Sequence, residues 1–300
     1  MRGRHAAPEL CLVRLTAPSH SPRSLGKSAS AGTLSLSAPG SLLATFEKHA
    51  ASVWLVSCLT RPQSSTAVKT PPQPLRLRHT RPLTVLALDP RETRVAGGDV
   101  SGRILLWVGL SPASFLAQPP AGGSTQAPSL PPSISLSTIH WHAQAVGCLC
   151  WSPDGARLLS GGAEGVLVLW RPEDASKTFL PRLGAPLLSM SLSPADAAVV
   201  AVSTADNCCH LVNTATLSVQ CSVRGARPAL LRNPSTGLGC QERPAAPMWD
   251  SRARAAVLPA SGGALQWYDI AGDASTGELA VSEAARQPPP PPPPERLTPG

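Results

Sequence analysis

Two stretches of this 300-residue chain repeat one another. One opens on His79 and closes on Trp107, the other opens on His142 and closes on Trp170, and the His-to-Trp interval is 28 positions in both. Each carries a proline 11 positions after its histidine: Pro90 in Leu88-Asp89-Pro90, and Pro153 in Trp151-Ser152-Pro153-Asp154. In each, a Gly-Gly pair follows an apolar stretch: Val95-Ala96-Gly97-Gly98, and Leu158-Leu159-Ser160-Gly161-Gly162. In each, an alternating run leads into the tryptophan: Gly102-Arg103-Ile104-Leu105-Leu106-Trp107, and Gly165-Val166-Leu167-Val168-Leu169-Trp170. Self-similarity of this kind is the signature of a repeat architecture. Repeats built from short strands and turns read as the blades of a β-propeller.

The second stretch carries the pattern most clearly. An apolar run over residues 146–151 stops at Ser152-Pro153-Asp154-Gly155. Proline presets one backbone dihedral there and Asp-Gly tolerates the reversal. A second strand is expected over residues 157–160, a turn over 161–165 and a third strand over 166–170. Three antiparallel strands in a row, each short and one-sided, need neighbours to be stable. His142, Ser160 and Trp170 stand where the WD-repeat family places three members of a hydrogen-bonded blade tetrad, and the fourth place falls on Glu164. His79 and Trp107 are the blade positions that correspond to His142 and Trp170 in the other stretch. That resemblance makes His142 a structural blade residue rather than a catalytic or metal-binding one. A metal site needs more convergent ligands than His140-Trp141-His142 offers.

Further blades extend outward. Residues 187–192, then Ser193-Pro194-Ala195-Asp196, then 199–203 and 207–212 repeat the order of run and turn, with Leu211 where a closing tryptophan would stand. Pro194 lies 41 positions after Pro153, within the period of about 40–45 residues of WD blades. Residues 248–251, 255–258 and 261–268 form another candidate, and residues 41–46 and 51–56 read as the tail of an earlier one. The expected class is all-β, an incomplete WD40-type propeller of about four to five blades. Too few blades for a closed ring would leave unpaired strand edges.

The two paired stretches are offset by 63 residues, more than one blade. The excess lies in residues 111–137, rich in Pro, Ser, Ala and Gly; a second interruption covers residues 227–247. Such segments bury too little apolar surface to order themselves. They read as loops extruded from the rim or as products of imperfect gene prediction. Residues 1–40 form a basic, Ser/Pro-rich tail with the composition, but no clear amphipathic period, of a transit peptide. Residues 272–300 form a second tail with seven prolines from Pro288 to Pro294. That run would make a polyproline II rod, able to dock in an aromatic groove or to remain a tail without a partner. The propeller is thus expected over residues 41–271.

The net charge of +8 fits an RNA-rich setting without establishing one. Arginines are scattered apart from Arg76, Arg78 and Arg81 around His79, and no RNP-type aromatic platform is visible. The cysteines number eight, and Cys148 and Cys150 are spaced by one residue rather than two, against a zinc knuckle. They read as thiols of a reducing compartment. No apolar run approaches the roughly 20 residues of a membrane span. No phosphate-binding glycine loop, Gly-x-Ser-x-Gly elbow or acid/base pair of carboxylates is present. No enzyme activity and no cofactor are expected.

A narrower resemblance lies in Ile139-His140-Trp141-His142, in Leu158 through Arg171, and in Phe179-Leu180-Pro181-Arg182-Leu183-Gly184-Ala185, continuing through Ser191-Leu192-Ser193-Pro194-Ala195 and Ser203-Thr204-Ala205-Asp206-Asn207. Taken together, these segments resemble the WD repeat-containing protein 75 family, nucleolar propeller proteins of the small-subunit processome. The general WD pattern does not ask for residues 179–185, which makes them the sharpest part. The resemblance covers residues 40–108 weakly, 139–225 strongly and 247–270 moderately. Because family members are longer and carry two propellers, it implies a partial or divergent copy. It implies a non-enzymatic scaffold in nucleus and nucleolus, supporting pre-rRNA transcription and early 18S pre-rRNA processing. The implied partners are other WD-repeat subunits of the processome, with U3 ribonucleoprotein and pre-rRNA in indirect or weak direct contact, and no membrane. The alternative is a generic WD-repeat adaptor, for instance in a ubiquitin ligase.

Overall fold

The computed structural model describes residues 35–59, 74–111, 114–115, 130–224 except 195 and 207, and the segments 247–249, 255–259, 265–272 and 279–283. The polyproline run, most of both expected tails and most of both expected insertions lie outside these residues. Among the described residues, twenty strands form five four-stranded antiparallel sheets, each built from strands consecutive in sequence. The first sheet holds β1 (Ser35–Leu36), β2 (Leu42–Glu47), β3 (Ala50–Leu55) and β4 (Leu75–Arg78). The second holds β5 (Leu83–Leu88), β6 (Arg94–Asp99), β7 (Arg103–Val108) and β8 (Ser135–His140). The third holds β9 (Val146–Trp151), β10 (Leu158–Gly162), β11 (Leu167–Arg171) and β12 (Ser176–Phe179). The fourth holds β13 (Leu187–Leu192), β14 (Val199–Thr204), β15 (Cys208–Asn213) and β16 (Ser218–Arg224). The fifth holds β17 (Met248–Trp249), β18 (Ala255–Pro259), β19 (Leu265–Gly272) and β20 (Leu279–Glu283). One helical turn, α1 (Val56–Leu59), follows β3. The fold is all-β, of β-propeller blades.

Three strands move the boundaries drawn from sequence. β1 lies inside residues 1–40, β8 takes residues 135–137 from the expected insertion, and β20 lies inside residues 272–300. The outermost strands β8 and β12 are exposed along most or all of their length. They need no apolar alternation, and Ser135, Ser137 and Thr138 show none, so periodicity does not mark them.

Two compact units divide between Leu188 and Ser189. In the first, period-two alternation sends opposite faces of the second sheet into different cores. Leu86, Leu88, Val95, Leu105 and Trp107 of the second sheet pack on Leu42, Val53, Leu75 and Leu77 of the first. Val85, Ala87, Ala96, Ile104 and Leu106 pack on Val146, Leu149, Trp151, Leu158, Val168 and Trp170 of the third. The second sheet is covered on both faces, which explains why every residue of β6 is buried. In the second unit Ala201, Cys209, Leu211 and Tyr268 form a smaller core.

The glycine pairs mark close approaches between neighbouring sheets, and the two pairs are offset from each other by one position. Counted from the opening histidines, Gly98 corresponds to Gly161, not to Gly162. A Cβ on Gly98 would lie 2.6 Å from Val146 Cβ, at the start of the next sheet, and one on Gly161 would lie 2.9 Å from Leu187 Cβ. Gly97 corresponds to Ser160, and Asp99 to Gly162. These two exchanges decide how the buried polar groups of each blade are paired.

Candidate functional site

The polar groups buried in the third blade form one chain. His142 lies before β9, Ser160 on β10, Trp170 on β11 and Glu164 in the β10–β11 turn. Trp170 Nε1 donates to Ser160 Oγ at 2.8 Å, and Ser160 Oγ lies 2.8 Å from His142 Nε2. His142 Nδ1 lies 3.3 Å from Glu164 Oε2, and Glu164 Oε1 accepts from Gln144 N at 2.6 Å. One proton arrangement satisfies every member: the serine hydroxyl donates to Nε2, and Nδ1–H donates to the carboxylate. Burial holds the His142 imidazole below its ordinary pKa against the pull of Glu164. Burial pushes Glu164 the other way, but backbone donors and His142 outweigh it and keep the carboxyl below its usual range. A neutral imidazole therefore donates to a carboxylate.

Gly165 closes this turn with φ of +74°, and Gly102 closes the corresponding turn of the second blade at +80°. A side chain at Gly102 would also overlap the His142 carbonyl oxygen, so glycine serves both backbone angle and contact there.

The second blade solves the same problem with different residues. His79 Nε2 pairs with Asp99 Oδ2 at 3.0 Å. Asp99 Oδ1 accepts from Ser101 N at 2.8 Å, Ser101 Oγ at 2.8 Å and Arg103 N at 3.0 Å. Burial raises the Asp99 carboxyl, but these donors and His79 outweigh it and hold it below the usual range. With Gly97 in the place of Ser160, Trp107 Nε1 has no hydrogen-bond partner. His79 and Trp107, the blade positions that correspond in spacing to His142 and Trp170, are not connected by hydrogen bonds. Asp99, which pairs with His79, does not emerge from the repeat spacing. A signal for it is present all the same: it precedes a turn glycine and follows Gly97-Gly98, as acids do at strand-to-strand turns.

Ser160, His142 and Glu164 have the residue types and bonding order of a Ser–His–carboxylate triad. A nucleophile must be open to its substrate. Here Ser160 and His142 are 0% exposed and Trp170 is 2% exposed, and the hydroxyl is already taken by Trp170. What the arrangement does is tie β10, β11, their turn and the segment entering β9 together. A second buried link joins neighbouring blades. Arg94 Nε pairs with Asp89 Oδ2 at 2.9 Å, its Nη2 donates to the Gly155 carbonyl, and its guanidinium lies 4.5 Å from the Trp151 ring centroid.

Among the described residues no three His, Cys, Asp or Glu side chains converge as metal ligands. Cys148, Cys150, Cys208, Cys209 and Cys221 are thiols rather than disulfides, and burial pushes the Cys209 thiol up to about 12, far from a reactive thiolate. Among the described residues no helix is long and apolar enough to cross a membrane.

Comparison with known proteins agrees with these features. The sequence model of the WD repeat-containing protein 75 first β-propeller matches residues 133–207, a span that contains His142, Ser160, Glu164 and Trp170. WD repeat-containing protein 75 of Danio rerio is 31% identical over 191 residues, 63% of this chain and 19% of the relative. U3 small nucleolar RNA-associated protein 17 of Schizosaccharomyces pombe is 42% identical over 87 residues, 29% of this chain and 11% of the relative. The chain thus spans about a fifth or less of the length of these relatives. A chain of the Mitotic Checkpoint Complex crystal structure shares the fold with a TM-score of 0.55 at 15% identity, over 85% of this chain and 63% of that one. By blade architecture the chain is an all-β chain of WD40-type propeller blades, and in sequence it is similar to the WD repeat-containing protein 75 family.

Proposed function

We propose that the chain is a non-enzymatic WD-repeat scaffold of the nucleolar small-subunit processome. In this reading it supports pre-rRNA transcription and early 18S pre-rRNA processing, alongside other WD-repeat subunits, U3 ribonucleoprotein and pre-rRNA. The observation that carries it is the family match over residues 133–207, with a relative whose name associates it with U3 small nucleolar RNA. In the same reading His79, Trp107, His142, Ser160, Glu164 and Trp170 are structural blade residues. The enclosure of Ser160 and His142 supports this, since the hydroxyl and imidazole of the one triad-like group among the described residues are both 0% exposed.

The test is a pull-down of the tagged full chain from cells, with imaging of its location and sequencing of the eluted RNA. Nucleolar signal with enriched U3 RNA and 5′ pre-rRNA is expected. A cytoplasmic pool without U3 RNA, eluting with a ubiquitin-ligase core, would instead establish a generic adaptor.

A further inference from the structure

The first unit carries its surface charge unevenly between its two ends. The β4–β5, β8–β9 and β12–β13 connections share one end with the β2–β3, β6–β7 and β10–β11 turns. Backbone hydrogen bonds tie these connections to the turns beside them: His79 N to His49 O at 2.9 Å, Val100 N to Pro82 O at 3.1 Å and Leu183 N to Gly165 O at 2.8 Å, with Leu83 N to Lys48 O at 2.8 Å crossing from the second blade to the first. His140 Nε2 meets Ser101 O at 3.3 Å in the same surface. Lys48, Arg78, Arg81, Arg103 and Arg182 are all exposed at this end. Against them stands Glu47 as the exposed carboxylate, because Asp99 and Glu164 are drawn inward onto His79 and His142. At the opposite end, among the described residues, exposed Arg91, Arg171 and Lys177 are balanced by exposed Asp154, Glu173 and Asp174. The relays therefore do more than hold strands: they draw two carboxylates away from the surface at this end, where exposed cations outnumber the exposed carboxylate.

An aromatic pair sits at the edge of this end. Phe179, the last residue of β12, packs against Trp141 with ring centroids 4.7 Å apart and remains 41% exposed. A cationic track with an exposed ring beside it suits a single strand, whose phosphates meet the cations and whose unpaired bases offer a face for stacking.

We propose that this end of the first three blades docks single-stranded RNA, with phosphates on Lys48, Arg78, Arg81, Arg103 and Arg182 and a base stacked on Phe179. The proposal rests on the reading that the chain associates with pre-rRNA, and assigns that association to a surface. The test measures binding of the full chain to a labelled single-stranded RNA of mixed sequence, to heparin and to poly-glutamate as a function of salt. The variants carry Arg78→Gln, Arg81→Gln, Arg103→Gln and Arg182→Gln together, Phe179→Ala alone, or Arg91→Gln with Arg171→Gln as the opposite-end control. All are exposed positions, and near-ultraviolet circular dichroism checks that the fold is kept.

Removing one cation from a phosphate lowers the salt slope by about 0.7 for a single strand. The fourfold variant should therefore flatten the slope by about 3 and weaken RNA binding more than tenfold, while the control leaves both unchanged. Phe179→Ala should weaken RNA binding by about tenfold, the scale of one stacked base, and leave heparin binding as it was. Equal weakening by changes at both ends would overturn the surface, and so would poly-glutamate binding as tight as RNA. Indifference to Phe179→Ala would overturn the stacked base. If the chain co-purifies with processome proteins but binds no RNA, the inference falls and the proposed function stands. If it binds RNA through this end but enriches no pre-rRNA from cells, the proposed function falls instead.

Discussion

Trp107 and Trp170 close corresponding blades and differ in one hydrogen bond. Trp170 Nε1 donates to Ser160 Oγ, whereas Trp107 faces Gly97 and its Nε1 has no partner. Replacing either ring by phenylalanine removes similar volume, but only Trp170→Phe takes a donor from a satisfied buried network. Chemical denaturation should show Trp170→Phe costing about 1–2 kcal/mol more than Trp107→Phe, the scale of one buried hydrogen bond. Equal costs would mean that the indole donor is idle in both blades. The pH dependence follows from His142. Its folded pKa lies below its ordinary value because of burial, so the unfolded chain binds a proton that the folded chain refuses. Stability should be full above about pH 6.5 and fall as pH drops from there toward the folded value. His142→Gln should lower stability at pH 7.5 yet flatten the slope just below pH 6.5. His210, also held low by burial, leaves a residual slope of the same sign. A wild-type chain equally stable at pH 7.5 and pH 5.5 would contradict the neutral, buried histidines. The relay of the third blade was legible in sequence because all four residues follow a spacing shared with known blades. Asp99 was not, because the second blade supplies its carboxylate two positions earlier and a glycine takes the serine's place.

At the scale of elements, the inner strands were legible and the outer ones were not. Strands β5 to β7 alternate apolar residues between two cores, β9 to β11 carry buried apolar runs, and prolines and glycines mark their turns. Strands β8 and β12 lie at the solvent edge and carry no pattern that burial would impose. The links between blades were equally invisible, since Arg94 meets Gly155 across 61 positions of sequence. Arg94 packs on Trp151, whose Nε1 donates to the Ala87 carbonyl at 3.2 Å, so the two sheets grip each other twice. Arg94→Met keeps the stem but strips the charge from Asp89, which is 0% exposed. A lone buried carboxylate is expected to cost about 3–5 kcal/mol, and Asp89→Asn in the same chain should recover part of that deficit. A double variant no more stable than Arg94→Met would show that the lost contacts to Gly155 and Trp151, not the unpaired Asp89, account for the deficit.

At the scale of the molecule, blades of ordinary WD geometry carry a proposed role that the polar core itself does not perform. The buried serine, histidine and carboxylate lock strands, and the proposed function belongs to surfaces and partners. Depleting the protein from cells that express it, and following precursor rRNAs by pulse labelling and hybridisation, tests this most directly. Precursors of 18S rRNA should fall while large-subunit precursors continue to be processed, and re-expression should restore them whether or not Ser160 is replaced by threonine, which keeps the hydroxyl. Unchanged 18S maturation after complete depletion would contradict the account.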